Sequence, residues 1–281
     1  MGICLLTEKH ILNFKRHLYE EERAKATIEK YLRDIEDFMA FLAGRPVTRG
    51  AVLAWKERLL SKSLAPATVN SKLSAVNSLL HFLGWDSCRV KFLKLQRRVF
   101  RSSSRELSRA EYLRLLETAR ALGRERLALL METICSTGIR VSELRFVSAE
   151  AARSGRAVIH LKGKVRTILL PGKLCQKLLK YARAQKIATG ELFLTRGGRA
   201  LSRKQIWREM KALCARAGVE ASKVFPHNLR HLFATSFYRV CRDIVKLADM
   251  LGHSSIETTR IYLLTTGAEH AKYLERLRLV C

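Results

Sequence analysis

The sequence predicts a mainly α protein in two domains, with a small β-hairpin in the second, and three observations carry that prediction. Apolar residues recur at three- and four-residue intervals along most of the chain, the spacing of helices that bury one face. One stretch, Val158 to Leu170, breaks that period with β-branched residues on both sides of a glycine, as two short strands around a tight turn would. A polar, aperiodic stretch near residue 100 divides a chain of 281 residues, long enough for one or two hydrophobic cores and short for three.

Taken in order, Ile28, Tyr31, Leu32, Ile35, Phe38, Met39 and Leu42 form the first clear stripe, closed by Gly44 and Pro46. A second helix follows Pro66, with Val69, Leu73, Val76, Leu79, Leu80 and Leu83 on one face before Gly84 stops it. Residues 1–98 therefore read as an all-helical domain. The run from Arg97 to Arg105 is basic and serine-rich without periodicity, so residues 99–107 read as a linker. Ser108 with Glu111 has the pattern of a capping box, and it opens a second domain over 108–281. There Val158-Ile159-His160-Leu161 and Val165 to Leu170 flank Lys162-Gly163-Lys164 as the hairpin, with basic residues at its tip. A further helix is expected from about Ser202 through Ala217, ended by Gly218. After Gly267, the positions Ala271, Leu274, Leu277 and Val280 give a short amphipathic tail helix.

The charge narrows the partner. With 53 Lys+Arg against 25 Asp+Glu the net charge is +28, far more than solubility needs and suited to a polyanion, nucleic acid first. The first hundred residues hold 18 basic and 10 acidic side chains, so +20 belongs to the rest. An anionic membrane surface is the rival, but no apolar run spans a bilayer. Met1 to Thr7 lacks a signal-peptide pattern, and Leu6 stands where myristoylation wants Ser or Thr. The seven cysteines are scattered with no C-x-x-C pair, so they read as small buried hydrophobes in a reducing cytoplasm, with neither zinc site nor disulfide framework.

Three segments concentrate polar groups. In Thr137-Gly138-Ile139-Arg140-Val141-Ser142-Glu143-Leu144, Arg140 and Glu143 sit three apart on one helical face. In His227-Asn228-Leu229-Arg230-His231, just after Pro226, His227 and Arg230 share that spacing. In Leu251-Gly252-His253 through Tyr262, Ser254 and Glu257 are expected to cap a helix carrying Tyr262, nine residues after His253. Singly, each is ordinary: a surface ion pair, a satisfied histidine, a packed tyrosine. Together, in a protein of this charge, they make a site for phosphoryl transfer.

The transition state at a phosphodiester spreads negative charge over its equatorial oxygens, so fixed donors must already be in place. Arginine suits this because its planar fork stays protonated and bonds two oxygens at once. Histidines donate hydrogen bonds or shuttle a proton near neutral pH. A tyrosine becomes a usable nucleophile where nearby positive charge favours its phenolate, and the leaving oxygen takes a proton that a hairpin lysine can supply.

These segments, with Leu161-Lys162-Gly163-Lys164-Val165-Arg166, resemble the tyrosine recombinases, which include phage and transposon integrases, Cre and the Xer proteins. The likeness runs over nearly the whole chain. It implies a two-domain DNA clamp with a helical N-terminal DNA-binding domain and a catalytic domain. It also implies site-specific recombination through a 3′-phosphotyrosyl intermediate and a Holliday junction, on a homo-tetramer (or one shared with a related recombinase) assembled on double-stranded DNA. By the same resemblance Arg140 is the first clamp arginine, Glu143 supports it, His227 and Arg230 are the middle pair, His253 is the third-motif histidine and Tyr262 is the nucleophile. No metal, nucleotide or other cofactor is implied. The family hairpin often reads G-K-G-x-K-x-R, one residue longer than here, so Lys162 is the choice for general acid and Lys164 the alternative.

Two other functions share parts of the pattern. A type IB topoisomerase uses similar chemistry, but the compact chain and the motif spacing favour the recombinases. An idle DNA-binding regulator on the same scaffold would have little reason to keep every clamp residue and the tyrosine. A metal-dependent nuclease would want clustered carboxylates, which the sequence does not show.

Overall fold

The computed structural model describes residues 4–95, 105–161, 164–195, 197–263 and 275–276. The chain divides into two compact units, Met1–Arg97 and Arg98–Cys281. Lys162, Gly163, the stretch 97–104 and the tail positions Ala271, Leu274, Leu277 and Val280 lie outside the described residues.

The first unit is a bundle of α1 (Glu8–Glu20), α2 (Lys25–Leu42), α3 (Arg49–Ser61) and α4 (Pro66–Phe82). Pro66 occupies the first helical position, where a missing N–H costs nothing. Helix α2 ends with Ala43 left-handed, one residue before the expected Gly44. The stripes found in the sequence supply the core: Phe38 and Leu42 of α2 cluster with Val69, Leu73, Val76 and Leu80 of α4, and Ile28 and Ile35 of α2 cluster with Ala75 and Leu79 of α4. Each such side chain, fully covered, contributes about 1.5–3 kcal/mol. Two asparagines on α4 hold the chain that leaves the bundle. Asn77 donates to Val90 O (2.9 Å) and accepts from Val90 N (3.2 Å), and Asn70 does the same with Leu93 (2.9 and 2.8 Å).

The second unit is built on a helix buried all round. Helix α5 (Arg109–Ala121) starts at the Ser108–Glu111 capping box and packs on α6 (Glu125–Thr137), in which Leu127 to Met131, Thr133, Ile134 and Thr137 are all buried. Thr133 and Thr137 tolerate this because their hydroxyls bond the carbonyls four residues back, at 2.8 and 2.6 Å. A 3-10 turn (Val141–Phe146) and α7 (Ala149–Ser154) lead to β1 (Arg156–Leu161) and β2 (Lys164–Leu169). These pair antiparallel from Arg156↔Leu169 to Leu161↔Lys164, and they are the only strands among the described residues. Then come α8 (Gly172–Ala184), α9 (Arg203–Lys211), α10 (Cys214–Ala217), α11 (Pro226–Cys241), α12 (Ile244–Leu251), α13 (Ile256–Arg260) and a last 3-10 turn, Ile261–Leu263. The helix expected over 202–217 is thus two, α9 and α10, separated at Ala212 and Leu213 before Gly218 turns left-handed. No helix among the described residues is long and apolar enough to cross a membrane.

Candidate active site

Helix α6 ends at Gly138, whose φ of +65° admits glycine readily and whose place against the Phe233 ring leaves no room for a Cβ. That sharp stop turns Ile139 inward and delivers Arg140 as the cap of the following 3-10 turn. Glu143, 2% exposed, reaches back to it: Arg140 N donates to Oε2 at 2.8 Å and Arg140 Nη1 to Oε1 at 3.0 Å. Arg166 of β2 adds Nη2 to the same Oε2 at 2.6 Å. Burial opposes ionisation of Glu143, but the Arg140 N–H and the charges of Arg166 and Arg140 outweigh it and hold the carboxyl below its usual range.

The end of α12 organises the rest. Its last carbonyls have no partner within the helix and carry the negative end of the helix dipole. Three successive ones each take a different arginine: Met250 O accepts from Arg166 Nη1 (3.1 Å), Leu251 O from Arg230 Nη2 (2.8 Å) and Gly252 O from Arg140 Nη2 (3.2 Å). Arg230, 3% exposed on α11, also donates Nη1 to Gly138 O, joining the ends of α6 and α12. Burial and the Arg140 charge push its pKa down to about 10, against the pull of a hydrogen bond to Tyr262, so it stays protonated at neutral pH.

His253 follows directly. A guanidinium can only donate, so the Arg230 Nη2 contact at 2.9 Å makes His253 Nε2 the acceptor. Nδ1 then carries the proton and donates to Thr259 Oγ1 at 2.8 Å. Burial first, then the charges of Arg230, Arg140 and Arg166, push the His253 pKa down to about 4, which agrees with that neutral tautomer.

Tyr262, 5% exposed, lies against three imidazoles: His231 at 5.1 Å, His227 at 5.7 Å and His253 at 5.8 Å, the last nearly parallel at 14°. A cleft of ≈ 540 Å³ opens over Arg140, His227, Arg230 and Tyr262, with Arg203 and Trp207 of α9 on its wall. A second cleft of ≈ 520 Å³ lies at the other end of α6 beside Arg124 and Arg126. There Arg126 is neutralised by Glu209 at 2.8 and 3.0 Å, and none of the three motifs reaches it.

The structure thus brings together Arg140, Glu143, His227, Arg230, His253 and Tyr262, six of the seven residues expected from sequence, and the seventh, Lys162, lies outside the described residues. Two details differ. The cap of α13 is Ser255, which accepts from Glu257 N, rather than Ser254, and Tyr262 stands on the 3-10 turn after α13. The sequence reading gave no part to Arg166, Thr259, His231, Arg203 or Trp207. His231 was visible as the last letter of its motif and Arg166 as the last of the hairpin, but their partners are remote in sequence. No group of His, Cys, Asp or Glu side chains among the described residues is arranged to hold a metal ion.

Residues 105–268 match the phage integrase family, and residues 11–87 match the phage integrase N-terminal SAM-like domain. Tyrosine recombinase XerC of Roseiflexus castenholzii is 32% identical over 274 residues, covering 89% of this chain and 86% of that protein. Tyrosine recombinase XerA of Pyrococcus furiosus is 28% identical, covering 95% and 93%. Among solved structures, a lambda integrase (75-356) dimer bound to a COC′ core site superposes with a TM-score of 0.74 at 17% identity, over 92% of this chain and 95% of that one. The chain belongs to the phage integrase family: it is a tyrosine recombinase, a site-specific DNA recombinase.

Proposed function

We propose that the cleft cleaves and rejoins DNA through Tyr262, whose phenolate oxygen attacks the scissile phosphorus and forms a 3′-phosphotyrosyl bond as the 5′ oxygen leaves. Arg140 and Arg230 hold the non-bridging oxygens, and Glu143 orients Arg140. His227 and His253 supply hydrogen bonds and proton transfer beside the tyrosine, and Lys162 protonates the leaving oxygen, with Lys164 as its alternative. The covalent bond conserves the energy of the phosphodiester, so neither metal nor ATP enters the cycle.

One observation carries this reading. Arg140 and Arg166 share the single Glu143 carboxylate, and Arg230 is held by the carbonyls of Gly138 and Leu251 and by His253 with no carboxylate of its own, so the site keeps a positive charge that it does not neutralise itself. Such a site is preorganised for an anion that gains charge in the transition state.

On the same reading residues 1–98 grip the duplex and 99–107 run along it as a linker. Residues 108–281 hold the chemistry and a tail helix that joins subunits, and four copies assemble on double-stranded recombination sites through a Holliday junction in the cytoplasm. Tyr262→Phe removes only the nucleophilic oxygen. It is expected to bind target DNA as the unaltered chain does and to form no covalent adduct on nicked suicide duplexes. An adduct that persists in Tyr262→Phe would overturn the assignment.

A further inference from the structure

The third arginine of the cluster has no part in the scheme above. Arg140 and Arg230 line the cleft and Arg166 does not, so it is not placed among the groups that touch the phosphate. Its contacts nonetheless form a pattern. Arg140 is 38% exposed, and two anchors hold its fork: Glu143 through Nη1 and Gly252 O through Nη2. Arg166 grips both. Its Nη2 bonds Glu143 Oε2 at 2.6 Å, and its Nη1 bonds Met250 O, two residues before Gly252 on the same helix end, at 3.1 Å.

The grip is rigid at both ends. Arg166 sits within the β1–β2 ladder opposite Ile159. At the other end, Gly252 adopts a φ of +62°, and a Cβ there would stand 2.5 Å from Arg166 Nη1. The end of the Arg166 side chain therefore occupies the space that a Cβ at position 252 would need, a space that glycine leaves open. A long exposed side chain such as Arg140 gives up rotamer freedom to hold one geometry, and bracing both of its anchors limits that loss to folding instead of imposing it during the reaction.

We propose that Arg166 is a positioning residue for strand cleavage, which braces Glu143 and the end of α12 and so fixes the Arg140 fork against the scissile phosphate. The proposal rests on the clamp role given to Arg140 above. It predicts a loss specific to charge stabilisation. Arg166→Gln in the full chain should bind its DNA site within about two-fold of the unaltered protein and cleave it on the order of ten- to a hundred-fold more slowly, the size expected when a group one step from the reacting centre loses its support.

A merely structural role would predict the same slowing on any substrate. Replacing one non-bridging oxygen by methyl makes the scissile group neutral, so a clamp has less charge to stabilise. On such a methylphosphonate duplex the deficit of Arg166→Gln should shrink to within about three-fold, as should that of Arg140→Ala, and Arg166→Lys should fall between Arg166→Gln and the parent on ordinary DNA. On ordinary DNA the double variant should be no slower than Arg140→Ala alone, because both changes remove one interaction. If Arg140→Ala recovers on the neutral substrate and Arg166→Gln does not, or if the two slowings add, Arg166 does not act through Arg140. Failure of Arg140→Ala itself to recover would instead overturn the clamp reading. Unaltered cleavage by Arg166→Gln would also end the proposal.

Discussion

In the N-terminal unit Asp34, buried on α2, accepts from Lys30 Nζ at 2.7 Å and from Lys72 Nζ at 3.1 Å, and Lys72 also reaches Asp37 at 3.0 Å. Two lysines meet two carboxylates and the charges cancel. In the C-terminal unit Glu143 is the one carboxylate bonded to Arg140 and Arg166, while Arg230 is held by the carbonyls of Gly138 and Leu251 and by His253. The difference lies in the acceptors. A carboxylate cancels a cation, whereas a carbonyl orients it and leaves its charge in place. Unit one uses the first arrangement to join α2 to α4; unit two uses the second, at the open end of α12, to keep fixed positive charge beside a tyrosine.

Removing a charged member should therefore have different consequences in the two clusters. Arg230→Gln keeps a donor but deletes the most buried of the three arginine charges, and cleavage on suicide duplexes is expected to slow by at least about 10²–10³-fold, the scale measured when one preorganised transition-state donor is lost. Melting should show a folded protein. A rate close to that of the unaltered chain would mean that the carbonyl-held charge is structural after all.

The N-terminal cluster should respond in stability alone. Asp34→Ala leaves Lys72 with Asp37 as its remaining carboxylate and opens a polar gap between α2 and α4, for a cost of about 1–3 kcal/mol. Urea unfolding measures this, and cleavage by the protein that remains folded should be unchanged. Loss of cleavage without loss of stability would break the contrast.

Legibility in the sequence followed the same division. The stripes of α2 and α4, the Ser108 capping box and the hairpin were readable because each is local: a period, a spacing of three, a glycine between β-branched runs. So were Arg140, Glu143, His227, Arg230, His253 and Tyr262, which fall in short segments with recognisable order. What could not be read was how the segments meet. Arg166 and Met250 are 84 residues apart, and Arg230 and Gly138 are 92 apart, and the acceptors are backbone carbonyls, which no residue letter distinguishes. Trp207 was equally hidden, since an aromatic on an amphipathic helix reads as core until the fold leaves it 48% exposed on the cleft wall.

The smallest expected effect is on acid sensitivity, and it separates the clusters by sign of charge. His253 has its folded pKa pushed down to about 4, by burial first and then by Arg230, Arg140 and Arg166, against about 6.5 for an unperturbed imidazole. Between these values the unfolded chain holds a proton at this site and the folded chain does not, so stability must fall as pH falls through that window. Its contribution is complete above about pH 6.5 and gone near pH 4. Glu143, also lowered, adds a loss of the same sign further down, so the interval from about pH 6.5 to 5 belongs to the histidine. His253→Gln, which can still accept from Arg230, should flatten the dependence of the urea midpoint on pH across that interval. DNA should act in the opposite direction to the arginines. A phosphate seated among them offsets the charge that depresses His253, raises its pKa and couples binding to proton uptake, so the parent chain should bind its site more tightly at pH 6 than at pH 8, and His253→Gln should lose part of that difference. A midpoint equally steep in both proteins would show that the folded chain does not hold His253 neutral across that interval.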